Sequence, residues 1–397
     1  MNTTLLAAPL FATLKNQPSD SLLELIQLFR ADPRAEKIDL GVGVYKDEQG
    51  RTPVMAAVKQ AESALLSAQE SKSYLGTAGD MGFVDALIAV VFGEARRGDR
   101  SLSGLQTPGG TGALRLAAEL LNRARPGVTV WVGSPTWINH FPIFQDAGLK
   151  ISEYKYFDRD TQSLTFTALR KALETAQTGD VVLLHAGCHN PTGADLSADQ
   201  WREIAALCAE RSLLPLIDMA YQGLGHGLED DADALRNLLS VVPDALIAYS
   251  CNKNFALYRD RVGALFYQCA DETRRERLRG NLIHLARTLW SMPPDHGAAV
   301  VRLILNDAAL TQVWTDELAT MRGRVRNLRA ALAMAHPGLS FLTRQNGLFS
   351  TLPLSPEQVL DLRTTHGIYM ASSGRVNLAG LATAQVPALA KALKPFL

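Results

Sequence analysis

Two hydrophobic periods take turns along this chain. Leu22, Leu25, Ile26 and Phe29 recur at the spacing of one helix face, between a Ser19–Asp20 cap and the breaker Pro33. KISEYKYF (150–157) also reads as a strand, while VTVWVG (128–133), DVVLLHAG (180–187), LLPLID (213–218), DALIAY (244–249) and VGALFY (262–267) are short apolar runs followed by polar residues or turns. That is the habit of strands buried on both faces, as in parallel sheets. ALRLAAELLNRARPG (113–127) and FPIFQDAG (141–148) read as helices, and SADQWREIAALCAER (197–211) supplies the crossover helix that parallel strands need. The last opens on a capping box, Ser197 with Gln200 three residues on. KIDLGVGVY (37–45) reads as an extended segment. Residues 306–336 carry one long helical pattern, able to bridge a large domain to a smaller one made from both chain ends. The alternation predicts an α/β fold with a mostly parallel sheet.

In such sheets ligands bind beyond the carboxyl ends of the strands. The residues just past each strand therefore matter: SPTWINH after the run at 128–133, CHNPTG after 180–187, DMAYQG after 213–217, and SCNKNFALYRDR after 244–249. The last is odd, since it sets Lys253 between two buried strands with Arg261 eight residues behind. A buried lysine is costly unless its charge is paired or its pKa falls. The alternative is a solvated loop in which Lys253 points at water.

Other features taken singly leave two readings open. QTPGGTGALR (106–115) is a glycine-rich turn opening a helix, which is either an ordinary turn or an anion site made of free N–H groups. It is neither GxxxxGK[ST] nor GxGxxG, so nucleotide readings gain nothing from it. Asp218, with Tyr221 three residues on, is either a turn residue or a functional carboxylate at a strand end. His185, Cys188 and His189 have the spacing of a strand end, and no second ligand pair comes after them, so no metal is expected.

Composition narrows the class. The 397 residues include 40 basic and 40 acidic side chains, a net charge of zero, which points to neither nucleic acid nor an anionic membrane. The four cysteines form no CxxC pair, which suits free thiols in a reducing compartment. The first residues lack the basic region of a signal peptide, and no apolar run approaches the ~18–20 residues of a membrane span. A cytoplasmic enzyme-sized protein is expected.

Taken together, and in this order, TPGGTGALR, CHNPTG, D-x-AYQG, S-x-x-K-x-F-x-LY-x-x-R-x-G and SGR resemble the class I pyridoxal-phosphate aminotransferases, in the aspartate and aromatic amino acid branch. The resemblance runs over nearly the whole chain. It implies fold type I: a large domain (47–316) with a mostly parallel seven-stranded sheet flanked by helices, a smaller α/β domain (14–46 with 317–397), and an N-terminal arm (1–13). It implies pyridoxal 5′-phosphate as cofactor, and amino acids and 2-oxo acids as substrates. A homodimer with shared active sites is implied as well.

Residue roles come from the same resemblance. Lys253 is the amine that joins the cofactor aldehyde and then shuttles the proton between Cα and the cofactor's C4′ carbon. Asp218 pairs with the pyridine nitrogen, and His140 orients Asp218. Tyr221 and Asn190 hydrogen-bond the phenolic oxygen, and Trp137 stacks on the ring. Gly110, Thr111, Ser250 and Arg261 hold the phosphate. Arg375 takes the substrate α-carboxylate, with Asn190 and the Gly43 backbone nearby. Arg287 takes a distal carboxylate, and Tyr74 touches the phosphate, both from the other subunit.

The chain departs from the family pattern in places. Asn252 stands where serine is usual, and Ala256 where glycine or serine is common. In RTLWSMPP (287–294), Trp290 and Met292 replace tyrosine and asparagine. An apolar Met292 weakens the polar network beside Arg287 and suits an aromatic side chain. Val44, Lys46 and Thr111 instead look like the aspartate-type enzymes. The expected reaction moves an amino group between an aromatic amino acid or aspartate and 2-oxoglutarate, the alternative being an aspartate-specific enzyme. Elimination or decarboxylation on the same cofactor, and a non-catalytic binding protein, are the rival readings.

Overall fold

The computed structural model describes residues 10–17 and 21–397. The expected cap at Ser19–Asp20 and most of the expected arm, residues 1–9, lie outside them. Seven strands form the central sheet: β1 (Leu102–Pro108), β2 (Thr129–Ser134), β3 (Lys150–Lys155), β4 (Val181–His185), β5 (Leu214–Met219), β6 (Asp244–Ser250) and β7 (Val262–Cys269). Their spatial order is β1-β7-β6-β5-β4-β2-β3. All neighbours are parallel except β7, which runs antiparallel to both β1 and β6.

Side chains of a strand alternate between faces, and that period sorts the core into two layers. Ala245, Ile247 and Tyr249 of β6 join one apolar cluster, with Val262, Ala264 and Phe266 of β7. Leu246 and Ala248 join the other, with Leu265 and Tyr267. The helix Gly109–Ala124 packs on the second face through Ala113, Leu114, Leu116 and Ala117. The helix Ala198–Arg211 covers the first face through Trp201, Ile204, Ala205 and Cys208, and its capping box forms as the pattern requires.

A third cluster takes Ile38 and Leu40 from near the chain start and residues from Leu328 to Leu393 from its end. The long helix Ala308–Ala335 links it to the first, burying Trp314, Leu318, Met321 and Val325 in one and Leu328 and Leu332 in the other.

Three local expectations change. Asn306 ends the preceding helix His296–Asn306, because the Asp307 carboxylate accepts from the N–H groups of Ala309 (2.8 Å) and Leu310 (3.0 Å) and starts a new helix. The expected strand at 150–157 stops at Lys155, and Phe157–Asp158 pairs with Ser163–Leu164 in a hairpin of its own. In the segment 37–45 only Ile38–Asp39 is a strand, parallel to Ile368–Tyr369. Beyond it the chain forms an irregular loop whose Val42 and Val44 carbonyls accept from the Asn377 amide.

Candidate active site

Lys253 lies past the carboxyl end of β6, in the loop that returns to antiparallel β7. That loop is held from several sides. The Asn254 amide donates to the Tyr249 hydroxyl at 2.9 Å, which donates to Gln222 Oε1 at 2.9 Å. Phe255 stacks on Trp314 with centroids 4.3 Å apart, and the Trp314 indole N–H donates to the Asn254 carbonyl at 2.8 Å. The long helix thus pins the backbone just past the lysine. Nothing in residue spacing signals Trp314, which lies 60 positions from Asn254 and reads as one more apolar position on a helix face.

The loop opens onto a cavity of about 170 Å³. Gly110, Thr111, Trp137, Asn190, Asp218, Tyr221, Ser250, Lys253 and Arg261 all line it, so the structure brings most of the expected residues together. His140 stands behind Asp218, fully buried, with Nε2 3.0 Å from Asp218 Oδ2. Its Nδ1 lies 2.8 Å from the Thr136 hydroxyl, which in turn lies 3.0 Å from His185 Nε2. The sequence pattern assigned neither Thr136 nor His185 to this site. Thr136 could have been found from its place four residues before His140 in SPTWINH, and His185 belongs to this hydrogen-bonded chain.

One end of the cavity is built for an anion. The helix Gly109–Ala124 begins after Pro108 with no side-chain cap, so its first N–H groups are free to meet a ligand. Gly109 has φ +67°, and a β-carbon there would come within 2.9 Å of Arg261 Nη2. At Gly263 a β-carbon would meet the Tyr249 carbonyl at 2.5 Å and Gly109 backbone at 2.7 Å. Both positions need glycine for the helix start to close on β7 and Arg261. Asn252 belongs to this end too, its Oδ1 accepting from the Val262 N–H at 3.3 Å.

Electrostatics divide the cavity. Burial, helped by the Arg261 cation and opposed by Asp218, pulls the Lys253 amine down to about 8, within reach of its neutral form near physiological pH. Burial by itself would raise Asp218. The hydrogen bond from His140 and the fields of His140 and Lys253 outweigh it and hold the carboxyl below its usual range. Burial pushes His185 down to about 3, so it is neutral, and raises the Tyr221 phenol. The Asn190 amide donates to the Tyr221 hydroxyl at 3.4 Å, while Asn190 Oδ1 is buried with no protein partner.

The remaining candidates are not among the residues that line this cavity. Arg375 donates from Nη2 to the Gly41 carbonyl at 2.8 Å, and its Nε is buried without a partner. Burial lowers its pKa from the usual arginine value. Gly43 is in the loop beside it. Tyr74 and Arg287 are exposed, and Met292 is half-buried with its sulfur accepting from the Leu75 N–H at 3.2 Å.

An anion seat, a carboxylate held ionised, a lysine of lowered pKa and unpartnered buried polar atoms fit a phosphorylated aromatic aldehyde with a basic ring nitrogen. Comparison with known proteins agrees. Residues 35–393 match the family model described as aminotransferase class I and II. The chain is 55% identical to the tyrosine aminotransferase of Rhizobium meliloti (strain 1021), over 96% of this chain and 98% of that one. It is 43% identical to the aspartate aminotransferase of Escherichia coli (strain K12), over 97% and 99%. Among solved structures, the aromatic-amino-acid aminotransferase from Burkholderia pseudomallei, covalently bound to pyridoxal phosphate, superposes with TM-score 0.95 at 35% identity, covering 98% and 99%. The chain belongs to the class I and II aminotransferases, in the branch of the aromatic-amino-acid and aspartate enzymes. It is a pyridoxal-phosphate-dependent transaminase with the type I fold of that cofactor's transferases.

Proposed function

We propose that this enzyme moves amino groups between an aromatic amino acid or aspartate and 2-oxoglutarate by a ping-pong route. One observation carries the reading: the Lys253 amine stands in a single cavity with an ionised carboxylate and an anion-binding helix start. Pyridoxal phosphate, when bound, supplies an electron sink for the pair left at the amino acid's Cα. The N–H groups of Gly110 and Thr111, with Ser250 and Arg261, would hold its phosphate. Asp218, backed by His140, would keep the ring nitrogen protonated. Tyr221 and Asn190 would hold its phenolic oxygen, and Trp137 would cover its face. The Lys253 amine would take the proton from the substrate Cα, a task suited to its lowered pKa. Arg375 would hold the α-carboxylate, its unpartnered Nε being available for a second hydrogen bond.

The exposed Tyr74 and Arg287 support a homodimer in which each serves the neighbouring site. The third core cluster supports a division into a large domain (47–316) and a small one (14–46 with 317–397). Four buried free cysteines support a cytoplasmic location, and among the described residues no helix is long and apolar enough to cross a membrane.

For substrate choice, Met292 and the tyrosine aminotransferase relative favour an aromatic donor. A panel of donors with 2-oxoglutarate tests this. Phenylalanine or tyrosine should be used at least comparably to aspartate. A thousandfold preference for aspartate would replace this reading with the aspartate-specific one.

A further inference from the structure

Phe349 carries no chemistry of its own, yet its ring meets three residues of the site. It opens the short strand Phe349–Thr351, which runs antiparallel to Arg375–Asn377 and sets Thr351 across from Arg375. The Arg375 guanidinium lies over the ring, its carbon 5.0 Å from the centroid. The Tyr221 ring meets it edge-on, with centroids 6.1 Å apart and planes at 87°. On a third side stands Gly43, where a β-carbon would come within 3.0 Å of Phe349 Cζ. The ring therefore fills the space that a side chain at position 43 would need.

The surroundings of Arg375 explain why an aromatic ring is useful there. Its described contacts are the Gly41 carbonyl, at one end of the guanidinium, and the Phe349 face. A carboxylate would hold the guanidinium more firmly, but it would also cancel the charge that an incoming carboxylate must find. An aromatic face attracts a cation through its quadrupole and leaves the in-plane N–H groups unspent. Phe349 also counts as a core residue, 3% exposed and part of the largest apolar cluster. Packing alone would explain its burial. It does not explain a ring placed against Arg375, Tyr221 and Gly43 together.

We propose that Phe349 is the positioning residue of the α-carboxylate site: its ring holds the Arg375 guanidinium aimed at the substrate while leaving its charge unpaired. This rests on Arg375 being the α-carboxylate ligand. It follows that losing the ring weakens every α-carboxylate ligand alike, whatever its side chain. The ring meets the cofactor cradle at Tyr221, and both variants below keep an apolar side chain there, so cofactor binding should persist.

The test uses the holoenzyme with Phe349→Leu and Phe349→Met, and Arg375→Ala as reference. KM and kcat are measured separately for phenylalanine and aspartate. The preference for phenylalanine over 2-phenylethylamine, which has the same ring and no carboxylate, is measured as well. Both Phe349 variants should raise KM roughly tenfold for both amino acids and leave kcat within about threefold. The preference for acid over amine should fall by the same factor, and Phe349→Leu should add nothing in an Arg375→Ala background. A lowered Tm with unchanged KM and unchanged preference assigns Phe349 to packing alone and overturns the proposal. A KM change confined to one amino acid overturns it too, by making Phe349 part of a side-chain pocket. If Arg375→Ala leaves the preference intact, the reading of Arg375 has failed and the proposal falls with it. If Arg375→Ala abolishes the preference and the Phe349 variants do not move it, only the proposal falls.

Discussion

Lys253 and Tyr74 are expected at one catalytic site, and the chain treats them in opposite ways. The loop of Lys253 is locked through Asn254, Tyr249 and Gln222 on one side and through Phe255 and Trp314 on the other. Tyr74 is 91% exposed, Arg287 is exposed, and the described tie across their patch is the Leu75 N–H on the Met292 sulfur. The difference reflects what each group must do. Shifting a pKa takes low dielectric and nearby charges at fixed distance, so Lys253 stands half-buried beside Asp218 and Arg261 of its own chain. A group that recognises charge arriving from outside needs no perturbation, and in water its field is weak. Tyr74 and Arg287 gain strength only when another surface covers them. Under the proposed shared site, Lys253, Asp218 and Arg261 act from one chain, and Tyr74 and Arg287 would be supplied by its partner.

The sharpest way to break that contrast is to separate the halves genetically. Lys253→Ala should still take up cofactor yet lose transamination by several orders of magnitude. Arg287→Asp should lower use of dicarboxylates by roughly a hundredfold, the scale of a charge-assisted hydrogen-bond pair. Mixing the two inactive proteins should restore dicarboxylate activity, because in a mixed dimer one site carries both defects and the other neither. A fully active monomer by light scattering would refute the shared site.

A smaller effect sharpens the recognition half. Asparagine at position 292 would hold a polar network that a phenyl ring leaves unsatisfied, a cost of roughly 1–3 kcal/mol if buried. Met292→Asn should therefore move the ratio of kcat/KM toward aspartate by about tenfold, or about 1.4 kcal/mol. An unchanged ratio would remove Met292 from the account of specificity.

The smallest effect belongs to the buried half. Ala256 sits three residues after Lys253 with φ +53°, a left-handed conformation that costs a β-carbon about 1 kcal/mol. Glycine relieves that strain but gains freedom in the unfolded chain. Ala256→Gly should stabilise the protein by less than about 1 kcal/mol, read from urea unfolding, with kcat unchanged. A clear loss of stability would show that the Ala256 methyl is held by packing that outweighs its backbone strain.

How much of this was legible beforehand depended on the range of each interaction. The capping box at Ser197 and Gln200, the glycine turn at 109–110 and the buried runs of β4 to β7 are encoded within a few residues, and they appear as the patterns require. The break at Asp307 was missed because an N-cap aspartate looks like any polar position on an amphipathic helix. The early end of β3 was missed because a hairpin partner at Ser163–Leu164 takes over Phe157 and Asp158.

By itself, then, the sequence determined the α/β alternation, the family and most of the residues that line the central cavity. These rest on local periodicity and on motifs at strand ends, where backbone geometry leaves little choice of residue. The tertiary structure decided what those residues feel. Trp314 reaches the lysine loop across 60 positions, and Phe349 reaches Gly43 from the far end of the chain. The Lys253 amine is drawn down to about 8 by burial and by Arg261, once folding has closed the cavity around them. Contacts of that range depend on how three apolar clusters pack against one another. Packing responds to shape and volume summed over many side chains, which no short stretch of sequence displays.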